Sequence, residues 1–231
     1  MSAAAVRTVA PAVAPPPVAG DLPKVVGGCP GFLVASIRRA VRADGGWQHV
    51  ANRVGKALRS QVPSPRILTS EQLAGDPAGY QTHLLHVEPD GSFSVTAMVW
   101  QPGQETPVHD HLTWCVTAVM QGIEYEEIFA PAPGGSGLRI IARNRNQVGT
   151  VGAFAPPGDI HRVRNDGTGV AVSMHVYGTD ISRVGSSIRR EYAVLSRGTN
   201  QPLLTQGPPL VGGLSRLTPS GLARRSLTIY R

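Results

Sequence analysis

The sequence predicts an all-β domain, a small barrel or sandwich of short strands with helices packed outside its N-terminal end. Three observations lead there. From about Thr82 apolar and polar residues alternate with period two, most cleanly in SFSVTAMVW (92–100). Turn signals recur at short intervals, at Asp90-Gly91, Pro102-Gly103, Pro133-Gly134-Gly135, Pro157-Gly158 and Asp166-Gly167. The many short strands at this spacing suggest a sandwich or barrel, not a parallel sheet with crossover helices.

In chain order, residues 1–28 form an Ala/Pro/Val-rich leader whose prolines interrupt any apolar signal core, so it reads as disordered. From Gly31, Leu33, Ile37 and Val41 recur every four residues, with Arg38, Arg39 and Arg42 off that stripe. Gly45-Gly46 ends this helix, and a second begins near Trp47 with Val50, Val54, Ala57 and Leu58 on one face. Ser70-Glu71-Gln72-Leu73 adds a short turn. Strands are expected near 108–111, 114–120, 122–130, 138–145, 151–155, 160–165 and 170–177, and a helix over 181–195. The domain therefore spans 29–196, followed by a Gly/Pro-rich tail over 197–231.

The formal charge of the 231-residue chain is +7. Part of it lies in the tail, where Arg197, Arg216, Arg224, Arg225 and Arg231 occur without an acid. No aromatic interleaving or nucleic-acid motif accompanies them, so a solvated terminus is the reading and no nucleic-acid partner is expected. The two cysteines, Cys29 and Cys115, exclude a disulfide scaffold and point to a reducing, cytoplasmic setting. No apolar run is long enough to suggest a membrane partner. A monomer or small homo-oligomer is expected.

Chemistry concentrates in two segments, GQETPVHDHLTWCVTAVMQG (103–122) and PPGDIHRVRN (156–165). On a strand, residues i and i+2 leave the same face, so His109 and His111 point together and Asp110 points away. His161, fixed by the tight turn at 156–158, is the third candidate ligand. A lone histidine is usually an ordinary hydrogen-bonded or exposed side chain; His-x-His with a turn-anchored third imidazole points to a metal. In VSMHVY (172–177), Ser173, His175 and Tyr177 alternate with Val172, Met174 and Val176. That polar face is either a solvated edge or, beside a metal, a hydrogen-bonding relay for acid–base work.

These residues carry a family resemblance. Gly103, His109, His111 and Gly122 match the first cupin motif, G(x)5HxH(x)3,4E(x)6G. Pro156, Gly158, His161 and Asn165 match most of the second, G(x)5PxG(x)2H(x)3N, with Gly149 one place early for its leading glycine. The glutamate of the first motif would fall at 115 or 116, where Cys115 and Val116 stand. Three histidines without the carboxylate resemble the thiol dioxygenases, the cysteine dioxygenase and 3-mercaptopropionate dioxygenase group, from about Tyr80 to Tyr192. Ser173, His175 and Tyr177 match that group's Ser-x-His-x-Tyr. With a one-residue deletion, Cys115 matches the cysteine that forms a thioether with this tyrosine in animal cysteine dioxygenases; many bacterial relatives have glycine there. The resemblance implies a cupin β-barrel (jelly-roll-like) and Fe(II) held by His109, His111 and His161. It also implies Tyr177, His175, Ser173 and Cys115 at the catalytic centre. The triad alone would suit zinc or nickel equally.

The resemblance also directs attention to a carboxylate anchor. Cysteine dioxygenases carry an arginine on the strand before the first motif; here Thr82 or His83 stands there. The 3-mercaptopropionate enzymes place it after the tyrosine, where this chain has Arg183, Arg189 and Arg190, of which Arg190 matches best. The expected activity is oxidation of a small thiol carboxylate by O2 to a sulfinate. The alternatives are a specialised biosynthetic oxygenase acting on cysteine or a derivative with a different outcome, and a non-catalytic cupin that senses a metal or small ligand.

Overall fold

A computed structural model of the chain describes residues 28–193 apart from 136. The leader, but for residue 28, and the basic tail lie outside the described residues.

Two helices come first. Helix α1 (Gly31–Arg42) buries Leu33, Val34 and Ile37, and α2 (Trp47–Arg59) buries Val50, Ala51, Val54 and Leu58, the spacing that puts one apolar stripe on each. Arg53 on α2 donates to the carbonyl oxygens of Ala40, Ala43 and Asp44, satisfying the C-terminal end of α1 and the loop after it. A five-residue helix, α3 (Ser70–Ala74), opens on a capping box between Thr69 and Gln72.

Among the described residues ten strands follow: β1 (Gln81–Val87), β2 (Ser94–Trp100), β3 (Val108–His111), β4 (Cys115–Gln121), β5 (Ile123–Pro131), β6 (Leu138–Gln147), β7 (Val151–Phe154), β8 (His161–Arg164), β9 (Ala171–Tyr177) and β10 (Ile188–Tyr192), with a one-turn helix α4 (Ile181–Val184) before the last. They make two five-stranded antiparallel sheets, ordered β1-β2-β9-β4-β7 and β10-β3-β8-β5-β6. The tight β4–β5 turn needs Gly122. Its φ is +74°, and a Cβ there would stand 2.9 Å from the Val170 carbonyl oxygen.

Alternation along the first sheet sorts residues between two environments. Val95, Ala97 and Val99 of β2, Val116, Ala118 and Met120 of β4, and Val172, Met174 and Val176 of β9 pack into one core with α1 and α2. The opposite face, carrying Met98, Trp100, His175 and Tyr177, turns toward the second sheet and lines a cavity with it.

One expectation is corrected. Residues 181–195 are not one helix. Only Ile181–Val184 turn helically, and Ile188–Tyr192 hydrogen-bonds to β3, with Arg190 opposite Asp110 and Tyr192 opposite Val108. Ile181, Val184 and Ile188 mimic a helical stripe in sequence, but ladder pairing with β3 and a clamp on buried Asp110 override local preference.

Candidate metal centre

His109 and His111 stand two apart on β3 and so leave it on the same face, while His161 on β8 is the register partner of His109. The ring centroids lie 4.7 Å (His109–His161), 4.8 Å (His109–His111) and 5.0 Å (His111–His161) apart. One ligand atom from each falls within 4.8 Å of the other two, and all three residues are buried.

The remaining ring nitrogens decide how this cluster can act. His109 Nδ1 lies 3.0 Å from the Pro107 carbonyl oxygen, His111 Nδ1 3.0 Å from Asp159 Oδ2, and His161 Nδ1 2.8 Å from Glu126 Oε1. A carbonyl or carboxylate oxygen only accepts, so each Nδ1 carries the proton and each Nε2 keeps a free lone pair. Fixing the tautomer and orientation of a ligand histidine through its other nitrogen is what a metal site requires. Burial, then the nearby His161 and His111, push His109 down to about 2, and burial also lowers His111 against the pull of Asp159. Buried, proton-free nitrogens with a common focus fit a divalent transition metal.

Facing this cluster across the cavity is the polar side of β9. Ser173 Oγ is 2.9 Å from His175 Nε2, and His175 Nδ1 is 3.1 Å from the Tyr177 hydroxyl. Burial, with His161 and His111 nearby, brings His175 down to about 3, so it is neutral. Burial raises the Tyr177 phenol well above its ordinary range, with Cys115 adding to the shift. Cys115 is buried on β4 directly opposite Tyr177, and burial raises its thiol too.

The cavity measures about 120 Å³. The three histidines, His175 and Tyr177 line it, with Tyr80, Thr82, Met98, Trp100 and the Gly185–Ile188 turn among its other walls. Thr82 faces inward; His83, its neighbour on β1, faces the opposite way beside Gln72 and Gly75. Among the described residues no arginine or lysine lines the cavity. Arg183 is exposed on α4. Arg189 Nη2 and Arg190 Nη2 donate to Asp110 Oδ2 at 2.7 and 2.6 Å, and the Tyr192 hydroxyl donates to the same oxygen at 2.9 Å. The arginines are thus engaged on the outward side of β3, and Arg190 remains 54% exposed. Burial works to raise the Asp110 carboxyl, but these donors bring it down to about 2.

The sequence reading did not single out Asp159, Glu126 or Glu124. Asp159 sits two residues before His161 in the motif turn, and Glu124 and Glu126 alternate on one side of β5, a weak signal in a strand carrying three acids.

A three-histidine cluster that could hold a metal, set between two antiparallel sheets, defines the class, a cupin β-barrel with helices packed on one sheet. The chain belongs to the cysteine dioxygenase type I family, whose model matches residues 71–187. Among solved structures, an RmlC-like cupin protein from Desulfovibrio desulfuricans is 21% identical over 45% of this chain and 86% of its own, with a TM-score of 0.34. A recombinant oxalate oxidase in complex with glycolate is 20% identical over 52% of this chain and 63% of its own, with a TM-score of 0.38.

Proposed function

We propose that the protein is an Fe(II)-dependent thiol dioxygenase that converts a small thiol to its sulfinate. The observation that carries this reading is the juxtaposition, in one small cavity, of three tautomer-fixed histidines and the Ser173–His175–Tyr177 chain. The overall change is RSH plus O2 to RSO2H, so both oxygen atoms end on sulfur and no external reductant is needed. His109, His111 and His161 would hold the iron. Bound there, iron(II) supplies simultaneous ligation and activation of a thiolate and dioxygen.

The protein's own groups do the rest. The histidine trio leaves the metal charge uncompensated, which favours an anionic sulfur. Tyr177 presents a phenol at the cavity wall whose proton is held on oxygen at neutral pH, and neutral His175 holds that phenol in place. Phe154, 5.3 Å from the His111 ring and 4.9 Å from that of His161, excludes water from one flank. Cys29 and Cys115 are both free, in keeping with a reducing compartment such as the cytoplasm.

A second reading keeps the metal but changes the substrate. With no arginine or lysine in the cavity lining among the described residues, a thiol without a carboxylate, or a specialised oxygenase reaction on a cysteine derivative, is favoured over carboxylate-anchored binding. Metal analysis and oxygen uptake test both. Aerobically purified protein should contain iron and consume O2 with a thiol; stoichiometric zinc without iron defeats the dioxygenase reading. Equal turnover of cysteamine and 3-mercaptopropionate supports the second reading, and strict preference for the carboxylate thiol removes it.

A further inference from the structure

Met98 places a thioether sulfur in the wall of the cavity that holds the histidine cluster. It sits on β2 between Thr82 of β1 and Ser173 of β9 in the ladder, and is 7% exposed. Its sulfur lies 4.0 Å from the Tyr177 hydroxyl, from which it accepts a weak hydrogen bond. The other methionines among the described residues, Met120 and Met174, belong to the opposite face of the sheet. They are buried in the core with α1 and α2. Cys115 is buried beside Tyr177 but does not line the cavity.

A site that delivers oxygen to a substrate sulfur has a competitor in this thioether. Methionine sulfur is soft and takes up one oxygen to give a sulfoxide, and access to the oxidant decides which methionine reacts. Met98 meets that condition and the two core methionines do not. The Tyr177 contact adds a consequence. A thioether is a weak acceptor, whereas oxidation turns the side chain polar and gives it an oxygen acceptor. The 4.0 Å between sulfur and phenol leaves room for one oxygen at the length of an O–H···O bond. Tyr177 would then donate to the sulfoxide. Its contact with His175 Nδ1, 3.1 Å away, would be made by the imidazole N–H.

We propose that Met98 is a self-oxidation site that limits turnover. When dioxygen is activated with no substrate sulfur in position, Met98 takes up one oxygen atom, and the sulfoxide withdraws the Tyr177 proton from the cavity. The O–O bond of O2 breaks and one atom bonds to the Met98 sulfur. The other leaves as water, with two protons and two electrons from two thiols in solution, which close to a disulfide. The change is reversible, because methionine sulfoxide reductases return the sulfoxide to the thioether.

The surroundings single this residue out. Among the described residues that line the cavity, Met98 alone carries sulfur. Thr82, its ladder partner on β1, is exposed, so this part of the wall lies near the cavity mouth. Val95, Ala97 and Val99 of the same strand face the helix-packed core, which keeps oxidation to the one side.

The inference rests on the oxygen-activating reading of the site, so its test reads covalent modification as well as activity. The full iron-loaded chain is held with cysteamine under isotopically labelled dioxygen, then digested and mapped by mass. Met98 is expected to gain one labelled oxygen at least about tenfold faster than Met120 and Met174, because proximity to the oxidising centre sets the rate. The iron-free chain in the same mixture should show no such preference. Loss of turnover should track Met98 oxidation, and methionine sulfoxide reductase should restore it. Met98→Leu, a volume-conserving exchange, should complete more turnovers before activity decays, whatever its starting rate. Equal oxidation of the three methionines, the same Met98 preference without iron, or an unlabelled sulfoxide overturns the proposal. So does activity lost with Met98 intact, or not recovered after enzymatic reduction. Ascorbate in place of the thiol, as the two-electron reductant, separates the two readings. If no thiol turns over but Met98 alone is oxidised with ascorbate, the thiol-dioxygenase reading fails and the oxidation site stands. Met98 unchanged with both reductants overturns the inference.

Discussion

Cys115 and Tyr177 are direct register partners across the β4–β9 ladder, on the face that turns into the barrel. Opposed residues of an antiparallel pair hold their Cβ atoms about 4.5–5.5 Å apart, so the sulfur and the phenol ring are neighbours before any chemistry occurs. A thioether between them removes two hydrogens, with O2 as the oxidant at an iron-loaded site. Iron-loaded protein turned over in air is therefore expected to lose the mass of two hydrogens and to yield a Cys115–Tyr177 cross-linked peptide, while Cys115→Ser does neither. An unchanged intact mass after many turnovers removes the cross-link.

Glu126 faces His161 Nδ1 at 2.8 Å, the shortest of the three contacts that fix the ligand tautomers. Its replacement by Gln takes away the ionised acceptor but not the shape. The expected loss in metal affinity is roughly 10–100-fold, read by competition with a chelator. His161→Ala should lose the metal altogether, and retention of full affinity would take His161 out of the ligand set.

Asp110 joins β3 to β10 by accepting from Arg189, Arg190 and Tyr192. Its carboxyl is held at about 2, below the ordinary 3.8. A depressed acid stabilises the fold above its unfolded value and loses that contribution as pH falls through the folded value, so the window runs from about pH 4 down to about 2. Because the arginines are partly exposed, the contribution is about 1 kcal/mol rather than the full shift. Asp110→Asn should lower the melting temperature at pH 6 and flatten its acid dependence across that window. Arg190→Met should likewise cost stability and leave KM for a thiol carboxylate unaltered; a large rise in KM would bring Arg190 into the substrate site.

Glu124 has the opposite sign. Its carboxyl is raised to about 7 from 4.5, so the folded state binds the proton more tightly and stability falls as pH rises between those values. Glu124→Gln removes this penalty. Relative to the wild type it should gain stability above pH 7, by up to about 3 kcal/mol, and gain none of this near pH 4. Equal effects at both pH values in thermal melts would contradict the raised carboxyl.

The His109–His111 pair and the polar face of β9 are legible in the sequence because each follows from period-two alternation along a single strand. Val172, Met174 and Val176 announce the helix-packed side, and Ser173, His175 and Tyr177 are what remains for the interior. The helices α1 and α2 are legible for the same reason at period 3.6. What the sequence hides is pairing between distant strands. That Asp159 serves His111, that Glu126 serves His161, and that Arg189 and Arg190 are engaged by Asp110 depends on which strand lies beside which. The fate of β10 shows it best. Its arginines look available for a carboxylate until β3 is placed beside them.

In the proposed reaction both atoms of O2 end on the thiol sulfur, and isotope labelling reads this directly. Iron-loaded protein supplied with a thiol under isotopically labelled dioxygen is expected to give a sulfinate carrying two labelled oxygens. A product with one label or none, or oxygen consumed with the sulfur left unoxygenated, would contradict it.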